Sequence, residues 1–320
     1  MNNVIIKVYF NGGLIMKQFT LEDYQDNKIH LYLYEPEKKP KAIVQIIHGA
    51  SEHFLRYGDF SEFLINQGYL VIGCDILGHG LSTDNYDYVH FADKNGDLLA
   101  YESVLLVKEY IEKTYPKQEV FLIGHSMGSF LARKLLIDFP DFYSKGVISG
   151  TAYPSKLLIK SGMMLTRIIK CFKGPKTVSK LIQDMSIDAN PNKMRKDKII
   201  TGINEEWLTR DKLIQQYYHD SQMCGQPFSL AANLDMFKWL NFVSKTKNLK
   251  SGNYELPMLL ISGGHDALSD YGKQIHTLFN KMESLGYKNI KMKIYPEARH
   301  EVLNELNKAE VYQDIIEFLS

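Results

Sequence analysis

The chain has 320 residues, 45% hydrophobic and 23% charged, a composition that excludes a disordered or fibrous chain at a length able to bury a core without staples. Lys and Arg number 38 against 37 Asp and Glu, for a formal net charge of +1, so no global basic field points to nucleic acid. Cys74, Cys171 and Cys224 are odd in number and form no CxxC pair, which predicts reduced thiols in a cytoplasmic setting, and no apolar run approaches the roughly 20 residues of a membrane span.

Along the chain, the first apolar run, residues 4–10, is short and broken by Lys7, unlike a secretory signal. Met16 reads as an alternative start, which leaves residues 1–15 as either an upstream extension or a first edge strand. Residues 17–22 and 28–34 read as an antiparallel hairpin at one edge of a sheet. Short Val/Ile/Leu-rich runs follow at 42–47, 69–74, 120–123, 146–149, 258–261 and 290–295, closed by Gly, Asp, Ser or Pro. Strands covered on both faces read this way. Helical patterns lie between them at 59–66, 97–113, 128–138, 271–284 and 308–319. In the second, Leu98, Tyr101, Leu105 and Lys108 follow the 3.6-residue rhythm, with Asp97 as its cap. Strands alternating with helices predict an α/β fold, a mostly parallel sheet flanked by helices.

The alternation breaks between about 151 and 227. This stretch carries Met163, Met164, Met185, Met194 and Met223, and residues 151–200 hold eleven Lys or Arg against three Asp. An inserted helical subdomain is the simplest reading, dividing the chain into a core (1–150), an insertion (151–227) and the rest of the core (228–320). A charge run of this kind is otherwise a solvated helix face.

The most informative stretch is the strand ending in Gly124-His125-Ser126-Met127-Gly128, followed directly by a helix. A serine between two glycines at a strand-to-helix turn is lifted to the carboxyl end of the sheet, where open α/β sheets place ligands. Met127 then offers a backbone N–H at a helix N-terminus, where an oxyanion is favoured. The bare pattern also fits a Gly-flanked helix start capped by a serine.

A serine hydroxyl needs a base to attack at neutral pH. His300 leaves the end of the strand at 290–295, and Asp266 leaves the end of the strand at 258–261. The order serine, acid, histidine is one that strand–turn–helix serine hydrolases use. Asp270 is an alternative acid; His265, next to the acid, reads as a surface or supporting residue. The turn His48-Gly49-Ala50-Ser51-Glu52-His53 allows backbone to approach a substrate, with the Ala50 N–H as a second oxyanion donor. No carboxylate or cysteine cluster accompanies His48 and His53, so neither a metal nor another cofactor is expected.

Together, residues 48–57, Asp75-Ile-Leu-Gly-His79-Gly-Leu-Ser82, Gly124–Gly128, Gly263-Gly-His-Asp266 and Pro296-Glu-Ala-Arg-His300 resemble the monoglyceride lipase and lysophospholipase group of α/β-hydrolases, which is related to the serine aminopeptidases. The resemblance runs from about residue 18 to the C-terminus, keeps the order of all five motifs, and is weak across 151–227. It implies an α/β-hydrolase fold with Ser126 as nucleophile, Asp266 as acid, His300 as base, Ala50 and Met127 as oxyanion donors, and 151–227 as a lid. Ser51 departs from the pattern, since many members carry Gly there. By the same resemblance Glu52, Arg56, Asp75 and His79 form a structural polar set beneath the site.

The implied activity is hydrolysis of carboxylic esters through an acyl-enzyme, by a lysophospholipase or monoacylglycerol lipase. The rivals are a small-ester carboxylesterase, a serine aminopeptidase and a non-catalytic binding protein on the same fold. The expected partners are a lipid or small ester and, through the basic lid, the surface of an anionic membrane.

Overall fold

The computed structural model describes residues 7–11 and 14–320, with side chains from residue 16. Nine strands, β1 (Lys7–Asn11), β2 (Leu14–Glu22), β3 (Lys28–Glu35), β4 (Ile43–Ile47), β5 (Leu70–Cys74), β6 (Val120–His125), β7 (Lys145–Ser149), β8 (Met258–Gly263) and β9 (Ile290–Tyr295), form one sheet. Their order is β1-β2-β3-β5-β4-β6-β7-β8-β9. The pairs from β1 to β5 are antiparallel and the remaining pairs are parallel. The hairpin at the edge is therefore β2–β3, with β1 added outside it. Of the N-terminal stretch, residues 7–11 form that edge strand, while 1–6 and 12–13 lie outside the described residues.

Strand residues alternate between two cores, as the two-residue period of a strand requires. Ile43, Ile47, Ile72, Leu122, Ile148 and Leu260 face one core. Val44, Ile46, Val71, Ile123, Val147 and Ile261 face the other. A polar exception in mid-strand is Gln45, whose amide donates to Val104 O and accepts from the Tyr143 hydroxyl, so burial leaves it satisfied.

Helices cover both faces: α1 (Gly58–Asn66), α2 (Gly96–Thr114) and α3 (Met127–Asp138), then α4 (Lys156–Lys173), α5 (Lys180–Met185), α6 (Ala189–Lys196), α7 (Lys212–Asp220), α8 (Leu230–Val243) and α9 (Thr246–Leu249) between β7 and β8, and finally α10 (Lys273–Leu285) and α11 (Lys308–Leu319). The break in alternation thus corresponds to a run of helices, with α4 packed on α8.

The stripe read from the sequence of α2 holds in part: Tyr101 and Lys108 are buried and Leu105 half-buried, but Leu98 is exposed, and the helix also buries Ala100, Ser103, Val104, Val107 and Ile111. The helix is apolar on more than one side, so spacing alone does not fix the whole buried face and contact with the sheet selects it. Asp97 does not cap it; its carboxylate takes Lys238 Nζ at 2.7 Å.

Parallel register brings the carboxyl ends of β4, β6, β7, β8 and β9 to one rim, with Ile47 beside Gly124, His125 beside Ser149 and Gly263 beside Tyr295. The turns after β4, β6, β8 and β9 carry Ala50, Ser126, Asp266 and His300.

Candidate active site

Ser126 sits between β6 and α3 at φ 52° and ψ −121°, a conformation that residues with side chains rarely adopt. The flanking glycines make the turn sterically feasible. A Cβ on Gly124 would lie 2.5 Å from Ala132 Cβ and 2.5 Å from the Gly128 carbonyl oxygen. One on Gly128 would collide with the carbonyl oxygens of Ile47 and His48. The Ser126 N–H donates to Ser149 O at 3.0 Å, and its carbonyl accepts from the Ser129 N–H at 2.9 Å.

His300 and Asp266 meet. His300 Nδ1 lies 3.1 Å from Asp266 Oδ1, both side chains buried, in a contact off the line of a well-formed hydrogen bond. Asp266 is held from behind by the Leu268 N–H at 2.9 Å and the Ser262 hydroxyl at 3.3 Å. The Trp207 ring stacks on His300 at 4.4 Å and the His125 ring lies 4.7 Å away. Burial pushes the His300 imidazole down, but the charges of Asp266, Glu301 and Glu52 outweigh it and the net shift is upward. His125, buried and facing His300, is instead held down at about 4, first by burial and then by that neighbour. Of the two candidate acids, Asp266 is the one beside His300; Asp270 pairs with Lys193. His265 is half-buried and its N–H donates to Ala298 O.

Ser126, His300, Ala50 and Met127 line one cavity of about 300 Å³. Asp266 lies behind His300 and does not reach the wall. The rest of the lining is mostly apolar, including Phe130, Leu158, Ile159, Met236, Phe237 and Leu240. A cavity of this kind favours a substrate with a hydrocarbon portion.

The turn after β4 packs directly on the serine: a Cβ on Gly49 would fall 3.0 Å from Ser126 Cβ and 2.7 Å from Glu52 Oε1. Ser51 adopts φ 53°, a backbone conformation that favours glycine. Its hydroxyl donates to Gln226 O at 2.7 Å and its carbonyl accepts the Gly225 N–H at 2.9 Å, so the strained residue is anchored. His48 is buried with Nδ1 2.7 Å from Gly49 O and Nε2 accepting the Ile76 N–H at 2.9 Å. That bonding fixes its tautomer as neutral, and burial holds it down at about 3.

Beneath the turn, Arg56 binds Glu52 and is bidentate to Glu301 at 2.7 and 2.6 Å. Asp75 accepts the Phe54 and Leu81 N–H groups and the Tyr32 hydroxyl, and burial lifts it to about 6 despite them. The His79 ring meets His48 edge-on at 5.1 Å. Arg56, Asp75 and His79 do not line the cavity; Glu52 does. Among the described residues, no three His, Cys, Asp or Glu side chains are grouped to hold a metal.

Sequence reasoning missed Glu301 and Trp207. Glu301 adjoins His300, but its partner Arg56 is 245 residues away. The only available signal was that a buried arginine near a glutamate needs a second carboxylate to balance its neighbourhood. Trp207 gave no local signal at all.

A serine on a strained strand-to-helix turn, at the carboxyl rim of a mostly parallel sheet, is the arrangement of the α/β-hydrolases. Residues 38–307 match the family described as serine aminopeptidase, S33, and the chain belongs to that family. The monoglyceride lipase of Rattus norvegicus is 29% identical over 276 residues, covering 85% of this chain and 80% of the rat protein. In fold, the chain is similar to a thermostable carboxyl esterase from Bacillus coagulans, with TM-score 0.85, 20% identity and coverage of 95% and 97% of the two chains. It is also similar to a soluble variant of monoglyceride lipase from Saccharomyces cerevisiae solved with a substrate analog, with TM-score 0.71, 16% identity and coverage of 93% of each chain.

Proposed function

We propose that Ser126, Asp266 and His300 act as nucleophile, acid and base of a carboxylic ester hydrolase, with the Ala50 and Met127 amides as oxyanion donors. The observation that carries this reading is the Asp266–His300 pair at 3.1 Å, with His300 sharing a cavity wall with Ser126. His300 takes the Ser126 proton as the hydroxyl attacks the acyl carbon. Asp266 orients the ring and stabilises the imidazolium. The two amides hold the tetrahedral oxyanion, and losing one such donor typically costs about a hundred- to a thousand-fold in kcat. The alcohol leaves with the proton, and water releases the acid by the same path.

The substrate is a monoacylglycerol or a lysophospholipid. The apolar wall suits an acyl chain, and rat monoglyceride lipase is a relative along most of both chains. An aminopeptidase would need a free carboxylate for the substrate amine. The carboxylates on the wall, Glu52 and Glu301, are both taken up by Arg56.

In this reading residues 151–227 are the lid. Its helix α4 exposes Leu157, Met164, Ile168 and Phe172 at helical spacing, and Lys156, Lys160 and Arg167 run in an exposed row beside them. An apolar row flanked by cations suits the surface of an anionic bilayer, each well-placed cation contributing about 1 kcal/mol. No helix among the described residues is long and apolar enough to cross a membrane.

The test is a panel of p-nitrophenyl esters, monoacylglycerols, lysophospholipids and aminoacyl amides with the wild type and Ser126→Ala. Hydrolysis of long-chain glycerol or phospholipid monoesters, abolished in the variant, is expected. Preferential cleavage of aminoacyl amides would sink the reading.

A further inference from the structure

Arg133 projects from α3 and is 3% exposed. Its hydrogen bonds go to uncharged oxygens: Ala152 O at 3.1 Å, Thr151 Oγ1 at 3.3 Å and Val243 O at 2.9 Å. Burial pushes the guanidinium down to about 10, so it remains a cation at neutral pH. A cation buried without a carboxylate is costly, and its contacts lead towards the serine turn.

Thr151 Oγ1 lies 2.7 Å from Ser129 Oγ, and Ser129 Oγ lies 2.5 Å from the Ser126 carbonyl oxygen. The two ends of this line have fixed roles, since a guanidinium only donates and a carbonyl only accepts. The Ser129 proton must therefore point at Ser126 O. The Thr151 proton must then point at Ser129 Oγ, and an Arg133 N–H at Thr151 Oγ1. Hydrogen bonds aligned in one direction strengthen one another. The line ends on the peptide unit that joins Ser126 to Met127. That plane carries the Ser126 C=O on one edge and the Met127 N–H on the other. As the first residue of α3, Met127 has no intrahelical acceptor for that N–H.

We propose that Arg133 is a positioning residue of the oxyanion hole, acting through Thr151 and Ser129 to hold the Ser126–Met127 peptide plane and polarise the Met127 N–H. The inference rests on the ester-hydrolase reading above. The relay offsets the strain of a serine at φ 52° and makes the amide on the far edge of the plane a stronger donor. Its effect belongs to the transition state, where the oxyanion exists, and not to substrate binding.

Thr151→Val removes the middle hydroxyl with little change of shape. For a p-nitrophenyl ester, kcat is expected to fall about ten-fold, less than outright loss of a donor, with KM within about two-fold. The inhibition constant of a trifluoromethyl ketone, which mimics the tetrahedral adduct, is expected to rise by the same factor as kcat/KM falls. Ser129→Ala should do the same, which keeps the test informative if one variant folds poorly. Thr151→Ser, which restores the hydroxyl, should recover kcat. Arg133→Met should cost no more when combined with Thr151→Val than either does alone, because the two act in one line. Wild-type kcat in both Thr151→Val and Ser129→Ala, or an unchanged ketone affinity, overturns the proposal. Ser126→Ala in the same assay separates the two readings. If it is inert while the relay variants are unimpaired, only the relay fails; if it still turns over, the ester-hydrolase reading fails and the relay with it.

Discussion

The rim of the sheet and the helices of 151–227 are built by different means. At the rim, backbone packing sets each functional position. Ser126 is held between a fully buried strand and α3, with two glycines admitting the close approach of neighbouring backbone. The 151–227 segment is held to the rim by side-chain pairs, Lys193 with Asp270 and Arg210 with Glu305 and Glu297, and by isolated backbone bonds, Glu301 N–H to Leu208 O and Gly225 N–H to Ser51 O, and it turns Leu157 and Phe172, 78% and 85% exposed, to solvent. In the proposed reading the reacting groups sit on the close-packed part, and the exposed apolar face of α4 belongs to the helical insertion.

Substitutions sharpen this contrast. Gly128→Ala places a Cβ against two carbonyl oxygens, so a loss of about 3 kcal/mol or more in urea unfolding, with loss of ester turnover, is expected. A stable, active Gly128→Ala protein would show that the turn is not close-packed. Arg56→Ala strands Glu52 and Glu301 as buried carboxylates, and about 3–5 kcal/mol of stability should go with it by the same measurement.

On the other side, Leu157→Ser with Phe172→Ser should leave unfolding and soluble-ester turnover near wild type. It should weaken affinity for phosphatidylglycerol vesicles about a hundred-fold or more, since burying each of the two side chains is worth about 1.5–3 kcal/mol. Equal vesicle binding would remove the membrane role from α4.

The smallest effect concerns pH. Glu301 and Glu52 help raise His300 above its ordinary value. With His300 as the proposed base, which must be neutral to act, activity is expected to rise with pH as His300 loses its proton. Glu301→Gln removes one of those charges and should move the acid limb of the kcat/KM profile to lower pH. An unmoved limb, or movement to higher pH, would detach Glu301 from the base.

Much of the rim was legible before the structure. The strands announced themselves as short β-branched runs, and the Gly-x-Ser-x-Gly turn, Asp266 and His300 each follow one of them. Local spacing carries that kind of information. It does not carry the full buried face of α2, where Tyr101 and Lys108 are buried as their spacing predicts but Leu98 is exposed. Nor does it reveal the Arg56–Glu301 pair or the line from Arg133 to Ser126 O, which join residues on separate elements through side chains alone. Ser51 was legible as a departure from pattern, and its positive φ supplies the reason.

The most direct measurement is to react the protein with a fluorophosphonate and locate the adduct by peptide mass spectrometry, comparing labelling rates of the wild type, Asp266→Asn and His300→Ala. The predicted result is one adduct, on the peptide containing Ser126, formed orders of magnitude more slowly in His300→Ala and markedly more slowly in Asp266→Asn. An adduct on another residue, or equal rates in all three proteins, would contradict a shared site of Ser126, His300 and Asp266.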